Sequence, residues 1–225
     1  MGNVNLRKYI CEFIGTFLLV YFAAGAIIID SQLANLGSIG SGIISGTIVT
    51  IIIYTFVNIS GAHVNPALTI TLAIIGKFNK KLILGYVSAQ MLGSAAAGII
   101  LYVTLGNYAH MGANIPNANI GVTHIKALSI EILLSFVLAW VICGVSYNKN
   151  SLSNFAGIII GATVGIEVML MGSYAGASMN PARAFGPYLL NGFFFEYYWI
   201  YLFGSIFGMI LGGIMYLFTH KIFIK

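Results

Sequence analysis

Charge is what this chain has least of. Its 225 residues include ten Lys/Arg and five Asp/Glu, against 59% hydrophobic residues and a mean hydropathy of +0.96. A water-soluble chain draws roughly a quarter of its residues from the charged types, so most of this exterior faces lipid. Four Pro and two Cys exclude collagen-like, Pro-rich disordered and disulfide-scaffold classes. Cys11 and Cys143 fall inside apolar runs and read as small apolar side chains without a redox role. No basic run exceeds two residues, so the net charge of +5 does not indicate a nucleic-acid partner.

Long hydrophobic runs, by contrast, are abundant. A bilayer core about 30 Å thick takes about 20 apolar residues of helix. Six such windows occur: Tyr9–Ile29, Ile39–Ile59, Leu82–Leu105, Ala127–Tyr147, Asn154–Tyr174 and Tyr197–Phe218. The first is too long, and lacks the small-residue cleavage site, for a signal peptide, so it reads as a retained span. An even number of spans puts both termini on one side. Arg7, Lys8, Lys77, Lys80, Lys81, Lys149, Lys221 and Lys225 fall on that side, and only Lys126 and Arg183 on the other. The positive-inside bias therefore predicts a multi-pass cell-membrane protein with cytoplasmic termini.

Small residues recur every four positions, at Gly42 and Gly46, at Gly85, Ala89, Gly93 and Ala97, at Gly157, Gly161 and Gly165, and at Gly204, Gly208 and Gly212. In lipid such stripes let helix backbones approach closely. The chain also matches itself. Gly42 to Val49 (GIISGTIV) aligns with Gly157 to Val164 (GIIIGATV), and Gly61-Ala62…Asn65-Pro66-Ala67 aligns with Gly176-Ala177…Asn180-Pro181-Ala182. Glu12-x-x-x-Thr16-Phe17 likewise meets Glu131-x-x-x-Ser135-Phe136. With three spans per half, the second half enters the membrane upside down, which gives one domain over residues 1–225 built of two inverted repeats, about 1–110 and 120–225.

Two segments, Ser60–Gly76 and Ala175–Gly192, are too polar at their start to be spans yet continue with about ten largely apolar residues. Ten residues make about 15 Å of helix, half the bilayer core. Asn is a good N-cap and Pro suits the first helical position, so each Asn-Pro-Ala predicts the start of a half-helix near mid-membrane. Irregular backbone at that depth is tolerated where it lines protein or water. The predicted fold class is an all-α membrane protein with six transmembrane helices, two half-helices and a pore or cavity between them.

The stretches Ser60-Gly-Ala-His-Val-Asn-Pro-Ala67 and Ser173-Tyr-Ala-Gly-Ala-Ser-Met-Asn-Pro-Ala-Arg-Ala-Phe-Gly-Pro187 resemble the two signature loops of the aquaporin, or major intrinsic protein, family. The resemblance covers essentially the whole chain. It implies a passive channel, a homotetramer with one pore per subunit, and no cofactor, metal or enzymatic activity. Paired half-helix N-termini focus positive potential at the pore centre, and Asn65 and Asn180 can each donate to a passing water, which interrupts proton hopping. Extended backbone before each Asn is expected to present carbonyls from Gly61, Ala62 and His63 on one side and Gly176, Ala177 and Ser178 on the other. Glu12 and Glu131 are costly in lipid, and their symmetric placement predicts that they hold these loops by accepting from backbone N–H groups.

By the same resemblance, a filter on the extracellular side is formed by Arg183, Ala177, Val168 and Ser45. Strict water channels of the family have a His and an aromatic residue where this chain has Val168 and Ser45. The expected filter is therefore wider and less polar, passing water and small uncharged solutes such as glycerol, urea, ammonia or metalloid hydroxides. The pairing, with the stretch Val141-Ile-Cys-Gly-Val145, resembles the nodulin-26-like branch and its microbial relatives. Ala184 stands where the glycerol-facilitator branch has Asp. A strictly water-selective channel is the first alternative, and a coupled secondary transporter is the alternative of another class.

The remaining polar residues read more plainly. His63 is expected to pack its loop, since no second ligand lies at zinc spacing. His110 and His124 are expected in an exposed loop, and the aromatic stretch Phe193–Tyr201 in the interfacial belt. Glu167 adjoins Val168 and, one residue along a helix, is expected to point away from the pore.

Overall fold

The computed structural model of the chain describes residues 2–147, 151–190 and 194–220. Lys149, Lys221 and Lys225, and Phe193 of the aromatic stretch, lie outside the described residues. Within them the fold is helical throughout, with no strand. In chain order the helices are α1 (Gly2–Leu33), α2 (Gly37–Ser60), α3 (Pro66–Ile74), α4 (Ile83–Leu105), α5 (His124–Tyr147), α6 (Ala156–Ala175), α7 (Pro181–Leu189) and α8 (Phe194–Thr219). Six of them (α1, α2, α4, α5, α6 and α8) are long and apolar enough to cross a membrane. The other two are the nine-residue half-helices expected after each Asn-Pro-Ala.

Local chemistry explains where the elements stop. Asp30 Oδ1 accepts from the backbone N–H groups of Leu36 and Gly37, both at 2.8 Å, and so folds the tight turn between α1 and α2. Gly61 closes α2 in the left-handed region (φ 89°), where its N–H returns to the Val57 carbonyl. Asn65 Oδ1 caps α3 by accepting from Ala67 and Leu68 N–H, and Asn180 Oδ1 caps α7 by accepting from Ala182 and Arg183 N–H. In both, Pro occupies the first helical position, where no N–H is needed. His124 opens α5 and does not sit in the preceding loop; its ring stands edge-on to Tyr197 with centroids 5.3 Å apart. His110 is exposed, as expected, in a turn where Ala109, His110, Met111 and Gly112 all have positive φ.

The halves are built alike. α1 packs on α2 and α4, α5 packs on α6 and α8, and α2 and α6 join one half to the other. That junction is set by glycine. A Cβ on Gly46 would lie 2.5 Å from the Gly161 carbonyl, and one on Gly161 would lie 2.0 Å from Thr50 Oγ1. The small-residue stripes are thus consumed inside the chain, in line with close packing in lipid. Gly161→Val should cost at least about 1–3 kcal/mol from overpacking, seen as a lower melting temperature in detergent. The exterior keeps side chains such as Ile51, Leu92, Ile166 and Phe207, which are about half exposed or more and suit a lipid surround.

Candidate functional site

Two short segments, residues 61–65 and 176–180, connect the spans to the half-helices, and their backbone is not extended as expected. Gly61, Ala62 and Val64 have φ of 89°, 49° and 42°, and Gly176, Ala177 and Met179 have 97°, 45° and 49°. Asn65 and Asn180 are extended. Extended backbone turns successive residues to opposite faces, and the left-handed residues break that alternation so that a short run can serve one wall. A left-handed non-Gly residue costs about 1–2 kcal/mol, and something must hold it.

The two buried glutamates do so. Glu12 Oε1 accepts from Ser60 Oγ (2.7 Å) and His63 N (3.0 Å), while Oε2 accepts from Val64 N and Gln90 Nε2, both at 2.7 Å. Glu131 Oε2 accepts from Ser178 N at 3.0 Å, and its Oε1 accepts from Met179 N and from Ser205 Oγ. The symmetric Glu pair lies where the sequence repeat suggested, on the loops. Gln90 and Ser205 complete it, and neither carries a sequence signal beyond being polar inside a span.

The asparagines also lock the loops to each other. Asn65 Nδ2 donates to the Met179 carbonyl and Asn180 Nδ2 donates to the Val64 carbonyl, each at 2.8 Å. A primary amide has two N–H donors: beyond this cross-link Asn65 Nδ2 lies 3.9 Å from Met209 Sδ, a weak acceptor, and Asn180 has a second N–H.

A cavity of about 270 Å³ runs past this junction. Asn65, Asn180 and the four residues expected to form the filter, Ser45, Val168, Ala177 and Arg183, line it. So do Gly61, Ala62, His63 and Ser178, and also Val64 and Met179. Gly176 does not, and its carbonyl accepts from Asn114 Nδ2. Pro66, Ala67, Pro181 and Ala182 are buried in the first turns of the half-helices, behind the lining. Leu19, Val49, Ile53, Leu138, Ile142 and Ile160 make the other wall apolar. At the end nearer the termini the cavity reaches Val57, Ser146 and Tyr147, and Lys77 Nζ stands 5.3 Å over the Tyr147 ring.

Arg183 closes the opposite end. It is 6% exposed, and its Nη1 donates to the Gly112 carbonyl (2.9 Å) and to Asn114 Oδ1 (2.7 Å). Asn114 also accepts at its backbone carbonyl from the Tyr188 hydroxyl. This 106–123 connection, with its left-handed turn at Ala109–Gly112, escaped sequence reasoning: Asn114 is one of several Asn in a polar loop, and nothing local singles it out. His63 packs as expected, with Nδ1 3.1 Å from Thr69 Oγ1 and its ring against Phe78 and Tyr86. Among the described residues no group of three His, Cys, Asp or Glu side chains could hold a metal. Glu167 points away from the cavity, is 6% exposed, and has no hydrogen-bond partner at either oxygen.

Comparison with known proteins agrees with this geometry. Residues 2–216 match the family described as Major intrinsic protein. Nodulin-26 of Glycine max is 36% identical over 213 residues, covering 94% of this chain and 77% of that one. Aquaporin AqpM of Methanothermobacter marburgensis is 35% identical over 237 residues, covering 93% and 96%. The structure of the aquaglyceroporin from Plasmodium falciparum superposes with a TM-score of 0.81 at 24% identity over 94% of this chain and 95% of that one, a likeness of fold. With the family match spanning nearly its whole length and two half-helices capped by Asn-Pro-Ala at one cavity, the chain belongs to the major intrinsic protein family.

Proposed function

We infer that the protein is a passive membrane channel for water and small uncharged solutes that excludes ions and protons. The observation that carries this is the cavity that passes both cap asparagines and reaches from Tyr147 to Arg183 with one polar and one apolar wall. Free carbonyls on the polar wall replace part of a solute's hydration, and the apolar wall keeps binding weak enough for release. At the middle, two half-helix N-termini oppose cations, and the second N–H of each Asn donates to a passing oxygen. Arg183 adds a fixed positive charge at one end. Membership in the family of nodulin-26 and the aquaporins supports the same reading.

Ser45, Val168, Ala177 and Arg183 form the filter in this proposal. Two small side chains and one aliphatic side chain leave room for solutes larger than water, such as glycerol or urea. The subunit is a single domain of two inverted repeats in a cell membrane, both termini cytoplasmic, and assembles as a homotetramer with one pore per subunit. A coupled transporter would carry an acidic group in its pathway; Glu12, Glu131 and Glu167 all lie behind the cavity wall. Stopped-flow swelling of proteoliposomes tests the reading. Water, glycerol and urea should each enter at rates linear in their gradients. Passage of water alone would make this a strict water channel, and saturating, ion-dependent flux would make it a transporter.

A further inference from the structure

Among the described residues Glu167 is the one buried carboxyl without a hydrogen-bond partner. It sits on α6 immediately before Val168, 6% exposed, and both of its oxygens are without a hydrogen-bond partner. The contrast with the other two membrane carboxyls is direct: Glu12 takes four donors and Glu131 takes three. A buried carboxylate lacking donors and a counter-charge costs several kcal/mol. In this arrangement the side chain is therefore the neutral acid.

Its surroundings determine what ionisation would do. α6 packs against α2, α5 and the short turn Ser151–Phe155. On α2 the one titratable residue is Tyr54, far along the helix beside Gly157. The short turn has none. On α5 the titratable residues are His124, Lys126, Glu131, Cys143 and Tyr147, and Glu131 is already committed to Ser178, Met179 and Ser205.

We propose that Glu167 is a positioning residue of the filter whose protonation holds the wide, conducting arrangement and whose ionisation narrows it. The helix itself transmits the change: Val168 follows Glu167 on α6, so a rotation that carries the new carboxylate toward a donor turns Val168, which lines the cavity, by the same angle. The filter thus senses protons through a carboxyl that solutes never touch. The inference rests on the filter assignment made above.

The test is glycerol and water flux into proteoliposomes of the full chain, with the same pH inside and out, stepped from acid to alkaline. Wild-type glycerol flux is expected to fall about tenfold as pH rises, the change that ~1.4 kcal/mol of added barrier produces. Glu167→Gln, neutral at every pH, should keep the acid-side flux throughout, and Glu167→Met serves as a second neutral side chain should the amide impair folding. A flat wild-type profile, or a profile that the neutral variants retain, overturns the inference and leaves the channel reading standing. Absence of any flux at any pH overturns both.

Discussion

Combining Ser45→Phe with Val168→His should shut out glycerol and urea while sparing water. Both side chains line one cavity with Arg183 and Ala177, and they come from α2 and α6, the helices that join the two halves of the fold. Phe and His add bulk to two walls at once. Steric overlap costs about 1–3 kcal/mol, and each ~1.4 kcal/mol of barrier is tenfold in rate, so solute permeability should fall about ten- to hundredfold. Water is smaller and meets little of that overlap. The swelling assay reads both fluxes on the same vesicles, and glycerol flux equal to wild type in the double variant would remove Ser45 and Val168 from the filter. The single variants are informative because their costs need not add at contacting positions.

Removing the charge of Glu12 should have the largest effect on stability. Glu12→Gln exchanges an acceptor of four hydrogen bonds for an amide with one oxygen and two N–H groups facing donors. Hydrogen bonds to charged groups are worth about 1.5–3 kcal/mol, and unsatisfied buried donors cost about 1–3 kcal/mol each. A loss of roughly 4 kcal/mol is expected, or a melting temperature lower by about 10 °C. Flux should fall with it, because the left-handed residues Ala62 and Val64 keep their conformation only while His63 N and Val64 N are held. Thermal denaturation in detergent checks this. An unchanged melting point would assign the loop geometry to Ser60 and Gln90 and not to the carboxylate.

The prominent features of the site were legible because they repeat. Asn65 and Asn180, each followed by Pro-Ala, announce two capped half-helices, and Glu12 and Glu131 stand in the first span of each repeat. The backbone of the loops was not legible. Nothing local in Ala-His-Val or Ala-Ser-Met marks left-handed φ at Ala62, Val64, Ala177 and Met179; that conformation exists because distant carboxylates collect the N–H groups. Gly176 misled for the same reason. It matches Gly61 in the repeat, yet Asn114, with no symmetric counterpart in role, takes its carbonyl. The seat of Arg183 on Gly112 and Asn114 depends on a polar connection 71 and 69 residues away in sequence, which no periodicity records.

The scarcity of charge determined by itself that this chain lives in lipid, how many times it crosses, and where two half-helices begin, because each of those follows from hydropathy and capping within a few consecutive residues. Tertiary structure decided what the few charges do. Glu12 and Glu131 became braces because folding brings backbone donors to them, and Arg183 became the end of a cavity because a remote loop holds its guanidinium. Glu167 received no partner at all. Hydrogen bonds between residues far apart in sequence are fixed by packing, so a glutamate in the same apolar setting can be a support or an unpaired acid.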